Sequence, residues 1–267
     1  MRKITLKARG FAAVAAIALG LTGLVVPAKA ASTTFTDCYL YSAGAPDFID
    51  PALSSTLVGA NLSTILYDGL TETDADGKLV GASAEKWTTK DKGLTWVFTI
   101  KKGLKFSNGD PVLPSSFVAG WKRAASQSLG SEVAYHNYFI AGMEDYNNGK
   151  AAFPASSVVA NDTAMTLTVK MVSSTVDWPS IASHTVFSPI PKSMENAPAT
   201  VETDGTKLIG NGPYMLDKAI TKRAGGEIVV VPNPYYAGTK PTLTKITFKI
   251  SSDVTAAYNA FASGQCD

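Results

Sequence analysis

The stretch from Lys245 to Asp267 constrains the fold more than any other. Ile246, Phe248 and Ile250 alternate with Lys245, Thr247 and Lys249, the two-residue period of a half-buried strand. Val254, Ala257, Tyr258 and Phe261 then recur at i, i+3, i+4 and i+7, which places them on one face of a helix. Gly264 stands where helices close through a left-handed residue. Strand and helix make two thirds of a crossover unit, and a crossover hands the chain to a parallel strand. No such strand follows in the sequence. The pattern therefore favours an α/β or α+β architecture over a helical bundle or a sandwich.

The rest of the chain agrees with a mixed architecture. "CYLYSA" reads as a short strand and "GAPDFIDP" as a loop ended by Pro51; "ANLSTILYDGL" has helical spacing. Asp76-Gly77 marks a tight hairpin. Leu94, Trp96, Phe98 and Ile100 alternate with polar neighbours as one strand, and Met165, Leu167, Val169 and Met171 as another; "GEIVVVPN" is a third. Between the first two, Phe117, Trp121, Ala124 and Ala125 fall on one side of a helix in "SSFVAGWKRAASQ".

The N-terminus reads as an export signal. Arg2, Lys3, Lys7 and Arg9 precede the uncharged apolar run Phe11–Val26, and Ala28-Lys29-Ala30 supplies a small-x-small site, so cleavage is expected after Ala30. The run is 16 residues, short of the about 20 that span a bilayer. Loss of this segment takes five basic residues from 24 and leaves 19 against 22 acidic ones, a net of −3. The slight basicity of the whole chain is thus a property of the leader, and no nucleic-acid footprint remains. Cys38 and Cys266 form an even pair in an exported chain, which raises the case for a disulfide, but spacing alone leaves the pairing open. Phe35-Thr36-Asp37 lacks the small residue expected before a lipid-anchor cysteine.

Catalytic templates fail on inspection. His136 and His184 are the only histidines and lack the spacing of a zinc helix; the cysteines form no C-x-x-C. "GNGPYM" puts Pro213 where a dinucleotide-binding helix should open, and "DADGKL" places Lys78 at a calcium-ligand position. Ser83 and Lys86 match the S-x-x-K of exported serine enzymes, but no S-D-N or K-T-G follows in order. No enzyme, cofactor or metal site is expected, and binding is the leading class. An exported serine hydrolase using Ser83 and Lys86, or an adhesion or envelope scaffold, stands as the alternative.

"IDP" (49–51), "LYDGL" (66–70), "DADGKLVGASAEKW" (74–87), "KGLTWVFTIKKGLKFSNGDPV" (92–112), "FVAGWKRA" (117–124), "GNGPYML" (210–216), "NPYYAG" (233–238) and "ITFKISSD…AFASGQCD" (246–267) follow one another with compatible gaps. This series resembles the oligopeptide/dipeptide-type solute-binding proteins of ABC importers. The resemblance implies a periplasmic-binding-protein-like α/β lobe, a mixed sheet with flanking helices, made of 31–57 plus 184–267, with a small α+β subdomain, 58–183, inserted. It implies a second lobe that closes over the ligand by hinge motion, so Asp267 is expected to mark a truncated gene model or fragment rather than the end of the fold.

The same resemblance implies a peptide ligand, delivery to the transmembrane subunits of a permease, and a monomer free in the periplasm or medium. Relatives of this type also bind nickel chelates, haem, oligosaccharides or opines. It places Ala45, Pro46 and Asp47, in the loop after the first strand, and Tyr135, His136 and Asn137, in "EVAYHNYF", on the ligand wall. One departure stands out. Leu113-Pro114-Ser115-Ser116 lacks the acidic residue with which the family opens the helix after "NGDPV", so that helix is expected to start weakly.

Overall fold

A computed structural model describes residues 33–38, 47–204, 206–218, 220 and 225–267. In chain order its elements begin with β1 (Thr34–Asp37), α1 (Leu57–Leu66), β2 (Thr71–Thr73), β3 (Leu79–Gly81), β4 (Ala84–Thr89), β5 (Thr95–Ile100) and α2 (Pro114–Ala124). Then come α3 (Met143–Asn147), β6 (Val158–Asn161), β7 (Thr166–Lys170), α4 (Trp178–Ile181), β8 (Tyr214–Leu216), β9 (Glu227–Pro232), β10 (Lys245–Lys249) and α5 (Val254–Ala262). The leader and its cleavage site lie outside the described residues, as do Tyr39–Pro46 and most of the strand expected from "CYLYSA"; β1 lies just upstream of it. Ser32–Asp267 forms a compact unit.

Alternating apolar residues became strands because each could bury one face. In β5, Trp96, Phe98 and Ile100 are buried while Thr95, Val97 and Thr99 are half-exposed. β5 sits inside an antiparallel sheet ordered β4-β5-β7-β6. α2 and α4 pack aromatic side chains beneath it: Phe187 meets Trp121 and Trp178 edge-on, with ring centroids 5.4 and 5.0 Å apart. The β2–β3 hairpin turns at Gly77, whose φ of 76° suits glycine, as Asp76-Gly77 predicts.

A second sheet is ordered β1-β10-β9-β8, antiparallel except where β1 pairs in parallel with β10. Its core is mainly aliphatic, with Leu216, Ile228 and Val230 against Ile49 and against Leu62 and Leu66 of α1. Packing thus places α1 with this sheet, although the sequence-drawn boundary at 57/58 puts it in the inserted segment. On β10 it is Thr247 that is buried, with Ile246 and Phe248 half-exposed though packed against the aliphatic core.

The crossover does reach a neighbour. α5 is capped by Asp253, whose Oδ1 accepts from Ala256 N at 2.8 Å, and the chain turns at Gly264 with φ 72°. Asp267 then lies beside β1: its N–H donates to Thr36 O at 2.8 Å, and its Oδ2 accepts from Thr36 N at 2.8 Å. N–H and C=O of one strand residue face the same edge, so this is the edge of β1 that β10 leaves free. Cys38 and Cys266 form a disulfide there, with Cα atoms 5.8 Å apart. The bridge matters because none of the α5 residues is buried.

The recurrent motifs are mostly joints. Asp50 of "IDP" and Arg123 of "GWKRA" make a fully buried bidentate pair, 3.0 and 2.7 Å, and Arg123 Nε also donates to Ala197 O at 3.0 Å. Glu202 Oε2 accepts from the N–H groups of Ile49 and Asp50 at 2.7 and 3.0 Å. Asn211 of "GNGPYM" accepts from Asp68 N at 3.1 Å and donates to Asp68 O at 2.9 Å, while Asn233 of "NPYY" donates to Gly212 O at 2.9 Å. The helix expected to start weakly has found an acid elsewhere. Asp162, from the β6–β7 turn, accepts from Ser115 N at 2.9 Å and Ser115 Oγ at 2.7 Å in the first turn of α2.

Candidate functional site

The segment Ala134–Phe139 is a 3₁₀ run that fixes a row of rings. It is held between buried Val133 and Ile140, and Ile140 bridges to Met171 beyond the end of β7. Tyr135 stacks on His136 with centroids 4.2 Å apart, and His136 stacks on His184, again at 4.2 Å. His184 comes from the turn after α4, where its Nδ1 accepts from Val186 N at 3.1 Å. That bond places the proton of the neutral ring on Nε2.

These rings line a cavity of about 740 Å³, completed by Tyr138, Phe139 and Ile181 with serines from the α4 end, and no lining residue is Asp, Glu, Lys or Arg. Burial, and then the neighbouring His136, depress the His184 imidazole to about 4; burial lowers His136 as well. Both rings are therefore neutral at physiological pH. Just beneath, Asn137 Oδ1, Trp178 Nε1 and Thr185 Oγ1 are buried without a hydrogen-bond partner.

A second cavity, about 590 Å³, has the opposite character. Asp68, Glu72, Lys101, Ser83 and Tyr236 line it. Burial and then Glu72 push the Asp68 carboxyl up to about 6, against the hydrogen bond from Tyr236. Lys101 is engaged: its Nζ donates to the carbonyls of Gly81 and Ala82 at 2.8 and 2.6 Å. Ser83 is buried, with Oγ donating to Asp68 O at 3.3 Å and accepting from Asn211 at 3.4 Å, whereas Lys86 is exposed on β4. The Ser83/Lys86 pattern thus carries no activated nucleophile here: the serine hydroxyl is enclosed among backbone and amide partners. Among the described residues no group of three or more His, Cys, Asp or Glu is placed to hold a metal.

The structure brings Tyr135 and His136 together at the ring-lined cavity. Asn137 is fully buried, its Nδ2 donating to Ala134 O at 3.3 Å, so it backs that wall instead of facing it. Ala45 and Pro46 lie outside the described residues. Asp47 is engaged within the chain. Its carboxylate gathers Ser55 N at 2.6 Å, Ser55 Oγ at 2.8 Å, Thr56 N at 3.1 Å and Thr56 Oγ1 at 2.6 Å, which fastens the start of α1. Burial pushes this carboxyl up, but the bonds from Thr56, Ser55 and Phe48 N–H outweigh it and hold it below the usual carboxylate range. His184 was missed; its only signal was being the chain's second histidine, 48 positions from the first.

Residues 78–267 match the family model described as bacterial extracellular solute-binding proteins, family 5 Middle. The chain belongs to that family. The Bacillus subtilis dipeptide-binding protein DppE is 28% identical to this chain over 234 residues, 86% of the chain and 42% of DppE. The Escherichia coli periplasmic oligopeptide-binding protein OppA is 30% identical over 224 residues, 82% of the chain and 40% of that protein. A solved Haemophilus influenzae OppA in complex with RPPGFSPFR superposes with a TM-score of 0.76 at 25% identity, covering 89% of this chain and 45% of that one. The fold is thus the periplasmic-binding-protein-like α/β lobe, and the chain spans under half the length of these relatives. None of the helices among the described residues is long and apolar enough to cross a membrane.

Proposed function

We propose that this chain is part of the substrate-binding component of an ABC importer, capturing oligopeptides or dipeptides outside the cytoplasmic membrane and handing them to a permease. Its work is reversible binding, with no bond made or broken. The ring-lined cavity of Tyr135, His136 and His184 is one wall of the ligand site, and the lobe comprises β1, α1 and the β8–β10 sheet, with β2 to α4 as the inserted subdomain. The observation that carries this reading is an uncharged, open cavity faced by stacked rings in a chain of the solute-binding family. Rings offer an extended ligand contact area and stacking. The secreted chain acts as a monomer, released after Ala30.

One wall gives only part of the affinity of a closed clamp. Isothermal titration of residues 31–267 with a mixture of short peptides should give heat that saturates well above micromolar peptide. Submicromolar binding contradicts the one-wall reading. No heat across the whole mixture contradicts peptide capture by this face.

A further inference from the structure

We propose that the cavity of Tyr135, His136 and His184 selects a neutral aromatic side chain of the bound peptide, which joins the ring stack, and rejects charged side chains. This rests on the reading of that cavity as the ligand wall and adds the chemistry that it prefers. Three features of the molecule support it independently.

The first is geometry. Tyr135, His136 and His184 form a continuous column with two equal 4.2 Å steps and planes inclined by 29° and 28°. Tyr135 is 57% exposed and Phe139 42%, so large ring surface is left facing the cavity. An added ring extends such a column by offset stacking. The second is charge. Without any charged residue in the lining, an ammonium or carboxylate settling here finds no counter-ion, whereas a neutral ring finds ring surface. His184 accepts through Nδ1 and lies in the neutral form, so the column does not itself offer a cation to a carboxylate. The third is size. About 740 Å³ lies within the range of roughly 300–1,000 Å³ of small-ligand pockets and holds an aromatic side chain with its adjoining backbone. The second cavity, lined by Asp68, Glu72 and Lys101, shows what a site for charged groups looks like in the same chain.

The chain has two histidines, so an imidazole proton spectrum of residues 31–267, prepared without a histidine tag, reports on this cavity alone. The probes are the N-acetyl amides of phenylalanine, lysine and glutamate. Phenylalanine amide should move both imidazole signals saturably, and the lysine and glutamate amides should leave them in place. Tyr135→Ala, at an exposed position, should keep both signals and weaken the phenylalanine effect by about two- to tenfold. Equal shifts from lysine or glutamate amide overturn the proposal, as does the absence of a phenylalanine effect. Signals that move with protein concentration alone identify a second copy as the occupant and also overturn it. Peptides without an aromatic residue that bind as well as those with one leave peptide capture standing and remove the preference. Phenylalanine amide that no peptide displaces does the reverse.

Discussion

Asp50–Arg123 and the Tyr135–His136–His184 column are both built from polar or ionisable side chains, and they meet burial in opposite ways. Arg123 and Asp50 are out of solvent and every charge has a partner: a bidentate pair, a carbonyl from Ala197, and Glu202 receiving the adjacent N–H groups. The column is half-open, its imidazoles are kept neutral, and buried polar atoms beneath it lack partners. The first arrangement spends its polarity on holding the two cores in register. The second leaves ring surface exposed, which suits the proposed binding wall. Polar residues in a fold of this kind are therefore sorted by whether their partners come from the chain itself.

The largest effect should come from breaking the closed arrangement. Arg123→Ala leaves Asp50 buried and unpaired, and urea unfolding should show a loss of about 3–5 kcal/mol. The double variant Asp50→Leu, Arg123→Met should cost less than this single one, because the Asp50 carboxylate is removed together with its counter-ion. A double variant that costs more would mean the pair's remaining contacts outweigh its charge.

Next is the covalent joint. Cys38→Ser with Cys266→Ser should lower stability by about 2–4 kcal/mol. Since α5 has no buried residue, hydrogen exchange should quicken first in α5 and around Thr36 and Asp267, with β5 and β7 still protected. Uniform loss of protection would contradict that local picture.

Two smaller effects sharpen the open side. His184 titrates at about 4 in the fold against 6.5 when free, so the unfolded chain takes up the proton first. Its contribution to stability is complete above about pH 6.5 and is lost as the pH falls toward 4. Asp68, raised from 3.8 to about 6, acts with the opposite sign in the same window, since its fold-favoured proton is lost as pH rises. The readout is thus the difference between parent and His184→Gln: the variant should lose less stability on acidification from pH 6.5 to 4. Tyr135→Ala should change stability by less than about 0.5 kcal/mol, as an exposed position does, while weakening ligand binding. A large loss of stability there would make the column a core element.

Much of the fold was legible because it rests on local period. The β5 and β7 faces, the Gly77 turn, the Gly264 stop and the α2 face all follow from spacing within a few residues. What was not legible depends on groups far apart in sequence. Asp162 replaces the missing acid at the start of α2 from 47 positions away, and Cys38 meets Cys266 across 228. α1 has the spacing of any amphipathic helix, and only packing decides which core receives it. At the site, "EVAYHNYF" announced its aromatic cluster, and Tyr135 and His136 do line the cavity. The bonds from Asp47 to Ser55 and Thr56 had no signal, because a loop carboxylate looks the same in sequence whether or not it closes a helix start. His184 had no pattern of its own; the turn after α4 carries it to His136.

The claim that a peptide lies against the ring column is tested most directly with a tripeptide carrying a nitroxide. Paramagnetic broadening of the two imidazole signals reads its position, and excess unlabelled peptide should reverse it. The account predicts that both His136 and His184 broaden while amides around Asp68 and Tyr236 stay sharp. Broadening around Asp68 and Tyr236 with both imidazoles sharp would contradict it.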